Sequence, residues 1–214
     1  MRSSAIQPTM REQLNLYIFV SVLFVVGVVF GALLVNALTL DQQQDLAGDV
    51  QQFIGRIQDG TLLSGTESFW DRAWFHAKWL LLVWVLGLTV VGMPLVLALD
   101  FFKGVLLGFA VGTLVRQFAW KGLIFSLASV APANLIAIPA FLIASVSAVS
   151  FTLYIVKNRL LGRFGSLSQP LLRYVVQTAM MLVLLLGAAM IESYLTPLLL
   201  QWAAPLVQGS SAGL

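Results

Sequence analysis

Few side chains in this sequence could carry out acid–base or nucleophilic chemistry. The 214 residues include one histidine, His76, and no cysteine, which excludes thiol catalysis, disulfides and cysteine metal sites. A hydrolase would need a nucleophile and a base that face each other. Asp71 and His76 are five positions apart on a predicted helix and do not share a face, and Ser68 cannot be placed against both. We therefore predict no catalytic residue, no metal site, no cofactor and no intrinsic enzyme activity.

The composition indicates where such a chain resides. Apolar residues make up 59% of it and charged residues only 10%, with a mean hydropathy of +0.93, whereas a soluble domain carries about 25% charged residues. A water-soluble enzyme, a nucleic-acid-binding domain and a disordered chain do not fit these values. We predict an all-α, polytopic integral membrane protein. It forms a single membrane domain over residues 1–214, has the lipid bilayer as its partner and binds no nucleic acid.

Uncharged segments show where the chain could cross a bilayer, which takes about 20 residues. Four segments meet that length, namely residues 14–40, 79–99, 123–156 and 174–191. A fifth is short and glycine-rich, because only 12 uncharged residues, Gly104 to Val115, lie between two cations. In one interpretation residues 101–118 cross fully and residues 122–131 are re-entrant or interfacial. In the other, both short pieces form a re-entrant hairpin.

The distribution of charge favours the full crossing. Residues 41–78 hold six acids and three bases, whereas residues 157–173 hold four bases and no acid. Positive loops stay in the cytoplasm, so the two loops lie on opposite sides and an odd number of crossings separates them. We predict about five transmembrane helices with a cytoplasmic N-terminus. Residues 41–78 form an extracytoplasmic helical loop, residues 157–173 form a basic cytoplasmic loop, and no charge lies near the middle of a span.

Small residues at helical spacing predict close packing of helices. Gly27 and Gly31 form one G-x-x-x-G pair, and Gly104, Gly108 and Gly112 form a double one. Such rows let two helix backbones approach each other where lipid provides no hydrophobic driving force. Packing within the chain and packing between copies in a homo-oligomer both satisfy the pattern, and we favour packing within the chain.

One carboxylate has predicted partners near the outer end of the last span. Glu192 follows 18 uncharged residues, and the predicted topology places Arg116 and Lys121 on the same side. A charge at the end of a span costs far less than one at its centre. We therefore predict a structural ion pair between Glu192 and Arg116 or Lys121.

The outer segment, residues 41–78, is the stretch that can make substantial contacts in water. Apolar residues recur at helical spacing in its first part, which predicts an amphipathic helix. A second helix, rich in Trp and Phe, is predicted to begin at the capping-box sequence of Ser64 to Glu67. These apolar faces either pack on the protein and its lipid interface or bind a partner. The predicted partner contacts are Leu46, Val50, Phe53, Ile57, Trp70 and Trp74.

Four motifs, taken in order, resemble one family of multi-pass bacterial membrane proteins. They are Leu16 to Phe24 with the glycines that follow, Phe102-Lys103-Gly104 with its glycine row, Pro132 to Ala140, and Ile191 to Pro197. Over residues 12–197 this order resembles the stage II sporulation protein M family. Many members of the wider family carry a histidine and a glutamate where this chain has Ala133 and Ala137. No ionisable chemistry of that motif is therefore transferred.

The resemblance implies a role in endospore formation. It implies a membrane anchor and scaffold that localises the peptidoglycan-degrading stage II sporulation proteins D and P to the septum during engulfment of the forespore. It also implies residence in the bacterial cell membrane, at the septum and in the engulfing mother-cell membrane. A transporter or channel subunit for a small solute is the alternative, because the short glycine-rich segment and the prolines Pro132 and Pro139 are typical of discontinuous helices.

Overall fold

The computed structural model describes residues 10–58, 65–160 and 167–208. Its elements are α1 (Met10–Leu34), a 3₁₀ turn (Val35–Ala37), α2 (Leu40–Gln58), α3 (Gly65–Gly87), α4 (Gly92–Leu160), α5 (Ser168–Met190), a π-helical turn (Ile191–Leu195) and α6 (Thr196–Gln208). The all-α prediction is confirmed for these residues. Within the described ranges, three segments are long and apolar enough to cross a membrane: Gln13–Ala37, Gly92–Asn158 and Ser168–Ala203. Ser64 of the predicted capping box lies outside the described residues.

The long helix α4 is a hairpin of two arms. Its backbone leaves the helical region at Ala119, where φ is 49° and ψ is −129°, a region that side chains with a Cβ rarely adopt. We call residues 92–118 the first arm and residues 120–160 the second arm. The piece at 122–131, predicted to be re-entrant or interfacial, is the beginning of the second arm.

Contacts between the two arms show that they run antiparallel. Ser145 Oγ donates a hydrogen bond to Asp100 Oδ1 at 2.7 Å, and Lys103 Nζ lies over the ring of Phe141. Residue numbers therefore rise along the first arm while they fall along the second. This is the relation expected of two consecutive crossings joined by a tight turn.

The predicted interruption at Pro132 and Pro139 is absent from the second arm, since the helix continues through both prolines. A proline inside a helix removes one backbone hydrogen bond, and such residues are tolerated in membrane helices. The proline pair therefore lies within a continuous helix and does not divide it.

A tight apolar turn separates α3 from α4 and corrects the predicted span at 79–99. α3 ends at Gly87 and α4 begins at Gly92. Within the turn, the backbone N–H and the hydroxyl of Thr89 both donate to the carbonyl of Leu86, at 2.9 and 2.8 Å. A Cβ on Gly92 would overlap that same carbonyl. The turn carries no charge, so the hydropathy of the sequence does not reveal it.

Side chains from two other helices cap the end of α3 at this turn. Thr152 Oγ1 donates to the carbonyl of Gly87 at 2.9 Å, and the hydroxyl of Tyr174 donates to the carbonyl of Trp84 at 3.0 Å. The last carbonyls of a helix have no partner within it, and each one left unsatisfied in an apolar environment costs several kcal/mol. The ring of Tyr174 also stacks on Phe151 at 4.9 Å. These contacts therefore join α3, the second arm and α5 at this end of the bundle.

Helix α1 packs on the first arm of α4 through both glycine rows. A Cβ on Gly31 would overlap the carbonyl of Val105, and a Cβ on Gly108 would overlap the carbonyl of Val28. The other glycines of the rows make similarly close approaches within the chain: Gly27, Gly104 and Gly112. Residue numbers rise together along the two helices, so α1 and the first arm run parallel.

The remaining contacts give the other long helices their directions. The ring of Trp79 on α3 lies 5.9 Å from Lys103 Nζ on the first arm. The two residues lie at similar distances from the 88–91 turn, so α3 and the first arm run antiparallel. α5 runs antiparallel to α3, because Tyr174 bonds to Trp84 while Glu192 pairs with Arg72. Thus α1, the first arm and α5 point one way, and α3 and the second arm point the other.

Helix α2 covers the end of the bundle opposite the 88–91 turn, and we call it the cap. Ile54 and Ile57 are buried there against Phe125, Leu200 and Ala203. These three residues come from the beginning of the second arm and from α6, so the cap joins elements that are far apart in sequence. Its opposite face is polar and exposed, as the amphipathic pattern predicted.

Replacement of Gly108 by alanine tests the packing of the glycine rows. Gly108→Ala should lower the free energy of unfolding by about 1 to 3 kcal/mol, the usual cost of overpacking, because the new methyl group meets the Val28 carbonyl. Gly187→Ala is the matched control, since a Cβ there meets nothing within 4 Å. Thermal unfolding of the purified protein, followed by size-exclusion chromatography in detergent, gives the two midpoints. Equal midpoints for the two variants would contradict this packing.

Candidate functional site

Five ionisable side chains converge inside the bundle in two layers. Asp100 and Lys103 of the first arm form the inner layer, on the side of the 88–91 turn. Arg72 and His76 of α3 and Glu192 of the π-helical turn form the outer layer, on the side of the cap. The two layers are neighbours, because the helix that carries Asp100 and Lys103 packs against both α3 and the π-helical turn.

The inner layer contains a carboxylate that is 0% exposed. Asp100 Oδ1 accepts the hydrogen bond from Ser145, whereas Asp100 Oδ2 has no hydrogen-bond partner among the described residues. Lys103 lies one helical turn further on, on the same face. Its Nζ is 3.6 Å from the centroid of the Phe141 ring and 5.9 Å from that of Trp79. The ammonium is thus stabilised by aromatic faces, and in the described chain it has no hydrogen-bond acceptor.

The inner layer lies within the candidate membrane span Gly92–Asn158, whereas the sequence predicted no charge near the middle of a span. Asp100 is about 12 Å along the helix axis from the start of α4. The 88–91 turn accounts for this position, because it makes this helix begin at residue 92 and not at residue 101. The sequence signal for this turn was Gly87-Leu88-Thr89 followed by Gly92.

The outer layer is built around the carboxylate of Glu192. Arg72 Nη1 donates to Glu192 Oε1, and His76 Nε2 lies 3.2 Å from Glu192 Oε2. Arg72 Nε also donates to Ser68 Oγ at 3.0 Å, which holds the guanidinium in place. His76 is buried. The single imidazole therefore belongs to an ionic network with α5 and has no contact with Asp71 that would suggest catalysis.

Glu192 lies in a widened helical turn. The N–H of Thr196 bonds to the carbonyl of Ile191, five residues earlier, and Pro197, the next residue, has no N–H to continue the regular ladder. Single π-helical turns of this kind occur frequently at functional sites. Ser193 and Thr196, in and beside the same turn, carry buried hydroxyls without a hydrogen-bond partner in the described chain.

The predicted ion pair of Glu192 with Arg116 or Lys121 is not formed among the described residues. α5 continues through the π-helical turn into α6, so Glu192 faces α3 below the outer end of the bundle. Arg116 instead donates to the carbonyl of Val35 at 3.2 Å and to Asn36 Oδ1 at 2.8 Å. It also donates to Gln43 at the start of the cap at 3.1 Å. Its role is to fasten α1 and the cap to the first arm.

Three of the six predicted partner contacts, all on the cap, are buried or half-buried. Ile57 is 3% exposed, and Val50 packs against the same apolar cluster. Leu46 is half-buried and lines a crevice of about 180 Å³ between the cap and the first arm. These three residues therefore serve intramolecular packing.

The other three predicted contacts lie on the surface. Trp70 and Trp74 on α3 are 68% and 64% exposed, and Phe53 on the cap is 41% exposed. Lys78 Nζ lies 5.3 Å from the ring of Trp74. Aromatic side chains at this end of the bundle can meet the membrane interface or a partner.

The described residues contain no group of three or more His, Asp or Glu side chains that could hold a metal ion. What the site offers is charge inside an apolar bundle. An ionisable side chain in such a place is rare and marks a functional position. With long apolar helices around it, the fold defines the class as an integral membrane protein built of helices.

Comparison with known proteins identifies the family. The family model described as Stage II sporulation protein M matches residues 20–197. The match covers most of the chain, which therefore belongs to the stage II sporulation protein M family. This is a sporulation family of membrane proteins and is not known as a family of enzymes. No curated protein and no solved structure matches the chain.

A double-mutant cycle tests the outer layer. Arg72→Gln and Glu192→Gln should show a coupling free energy at the lower end of about 0.5 to 3 kcal/mol, because the Arg72 side chain is 36% exposed and solvent screens the pair. Arg116→Gln combined with Glu192→Gln is the control and should be additive. Chemical denaturation in detergent measures each variant. Coupling of Glu192 to Arg116 in place of Arg72 would contradict the pairing.

Proposed function

We propose that the chain crosses the membrane five times, with a cytoplasmic N-terminus and the cap outside. The alternating directions of α1, α3, the two arms and α5 support this topology, as does the basic loop at 157–173, which the positive-inside rule assigns to the cytoplasm. The cap, which Arg116 fastens to the first arm, then lies on the extracytoplasmic side. The protein resides in the bacterial cell membrane and, during sporulation, at the septum and in the engulfing membrane.

The proposed function is a non-catalytic anchor and scaffold. It holds the peptidoglycan-degrading stage II sporulation proteins D and P at the septum so that the mother-cell membrane can engulf the forespore. Family membership over residues 20–197 carries this proposal. A scaffold needs a surface held rigidly on a membrane anchor, and the cap has this form: Ile54 and Ile57 fix it to the bundle, while its other face is exposed.

The contact surface for these partners consists of Phe53, Trp70 and Trp74. Aromatic side chains that remain exposed on a rigid support are frequent anchors of protein interfaces. The polar face of the cap, with Asp45 and Asp49 exposed, surrounds Phe53 and gives the interface a polar rim.

Replacement of Phe53 tests the scaffold. Phe53→Asp should reduce co-purification of proteins D and P at least about tenfold, since loss of an anchor residue costs 2 kcal/mol or more, and sporulating cells should stall after septation. Gln52→Asp is the matched control, because it adds the same charge at the neighbouring exposed position without removing a ring. Co-purification and membrane-dye imaging are measured for both. Wild-type co-purification by Phe53→Asp at normal membrane levels would refute this contact.

A transporter or channel subunit for a small solute is the second candidate function. The inner layer favours it, because buried ionisable side chains line substrate and ion pathways in membrane proteins. The packing around the proline pair argues against a pathway at that point, since Ala137 is 1% exposed and lies in a cluster with Leu80, Met181 and Leu185.

Cysteine accessibility distinguishes the two functions. The native chain has no cysteine, so Ala137→Cys and Asn134→Cys can be probed against a clean background with a membrane-impermeant thiol reagent. A scaffold predicts protection at both positions. Asp45→Cys on the exposed face of the cap is the positive control for labelling. Labelling of both test positions at the control rate would favour the transporter.

A further inference from the structure

The scaffold function leaves the inner layer without a role. A water-facing anchor surface does not require Asp100, which is 0% exposed, or Lys103, whose Nζ is also buried. Burial of charges in an apolar medium is costly unless they are paired and hydrogen-bonded. Replacement by apolar residues is often neutral or stabilising for such groups, so packing alone does not account for this layer.

Each side chain of the inner layer makes a stabilising contact but also has a polar group without a hydrogen-bond partner in the described chain. Asp100 Oδ1 accepts from Ser145, while Oδ2 has no hydrogen-bond partner in the described chain. Lys103 rests on the face of Phe141 and, within the same residues, has no acceptor for its N–H groups. A carboxylate oxygen without a donor and an amine without an acceptor therefore lie one helical turn apart.

We propose that Asp100 is a proton-binding site inside the membrane and that Lys103 responds to its occupancy. When Asp100 is ionised, the Lys103 ammonium is attracted to it. When a proton binds Oδ2, the carboxyl group becomes neutral and this attraction is lost. The ammonium is then free to move towards Glu192, the carboxylate in the π-helical turn that packs against α4.

The groups that face this switch come from three neighbouring elements, the second arm, α3 and the π-helical turn. The second arm contributes Ser145 and the ring of Phe141, and α3 contributes Trp79. The outer layer contributes Glu192, which is already paired with Arg72 and His76. α1 contributes no charged side chain from Gln13 onward. Lys103 is the cation of the inner layer, and its movement towards Glu192 would connect this layer to the π-helical turn.

Infrared spectroscopy of the full chain in lipid nanodiscs tests the proton-binding site. Exposed carboxylates stay ionised between about pH 8 and about pH 6, so a carbonyl band of a protonated carboxyl group that appears in this interval reports a buried acid. We expect this band in the wild type and in Asp45→Asn, an exposed carboxylate outside the layers, and its absence in Asp100→Asn. The side chain of Asn has the shape of Asp, so the fold is retained.

Tryptophan fluorescence tests the movement of Lys103, because the ammonium lies near the ring of Trp79. The wild type should change its emission over the same pH interval, and both Lys103→Met and Trp79→Phe should lose that change. A band that persists in Asp100→Asn, or no band in the wild type, would overturn the proton-binding site. A pH-dependent emission retained in Lys103→Met would overturn the movement. Neither outcome bears on co-purification by Phe53→Asp, so this inference and the scaffold fail separately.

Discussion

The need to satisfy backbone carbonyls inside an apolar bundle determines the architecture of this protein. α3 ends against the second arm and α5, and its last carbonyls have no partner within the helix. Thr152 and Tyr174 supply the missing donors from the second arm and from α5. Three elements distant in sequence are thereby tied at one point. The tight turn that follows can then be made almost entirely of apolar residues. It sets the residue at which the first arm begins, and therefore the register of this arm against its neighbours.

The position of the buried charges is a direct consequence of that register. With the turn at residues 88–91, the first arm begins at Gly92, and Asp100 and Lys103 lie well inside this arm. The glycine row of the same arm brings α1 so close that backbone meets backbone. The first arm therefore has two kinds of face. Its glycine face packs on α1, and its charged face, with Asp100 and Lys103, lies towards α3 and the second arm.

The two ends of the bundle have different roles. The end at the 88–91 turn is fixed by hydrogen bonds to backbone, whereas the other end is closed by the amphipathic cap and by Arg116. Burial of Ile54 and Ile57 makes the cap part of the core, and what remains exposed is a polar surface with a few aromatic side chains. The proposed anchor would use this surface, and the ionic layers are a feature that such an anchor does not need.

The sequence by itself determined the class of the protein, the amphipathic nature of the cap and the close packing of the two glycine rows, because composition and helical periodicity are local properties. It also carried the family motifs. Only the tertiary structure decided where the helices begin and end, which of the predicted partner residues remain exposed, and that Glu192 pairs with Arg72. The turn after Gly87 is as apolar as the helices it joins, so the hydropathy of the sequence shows no break at this point. Partners such as Thr152 for Gly87, or Arg72 for Glu192, are separated by 65 and 120 residues. Their pairing depends on the order and direction in which the helices pack, which no local pattern contains.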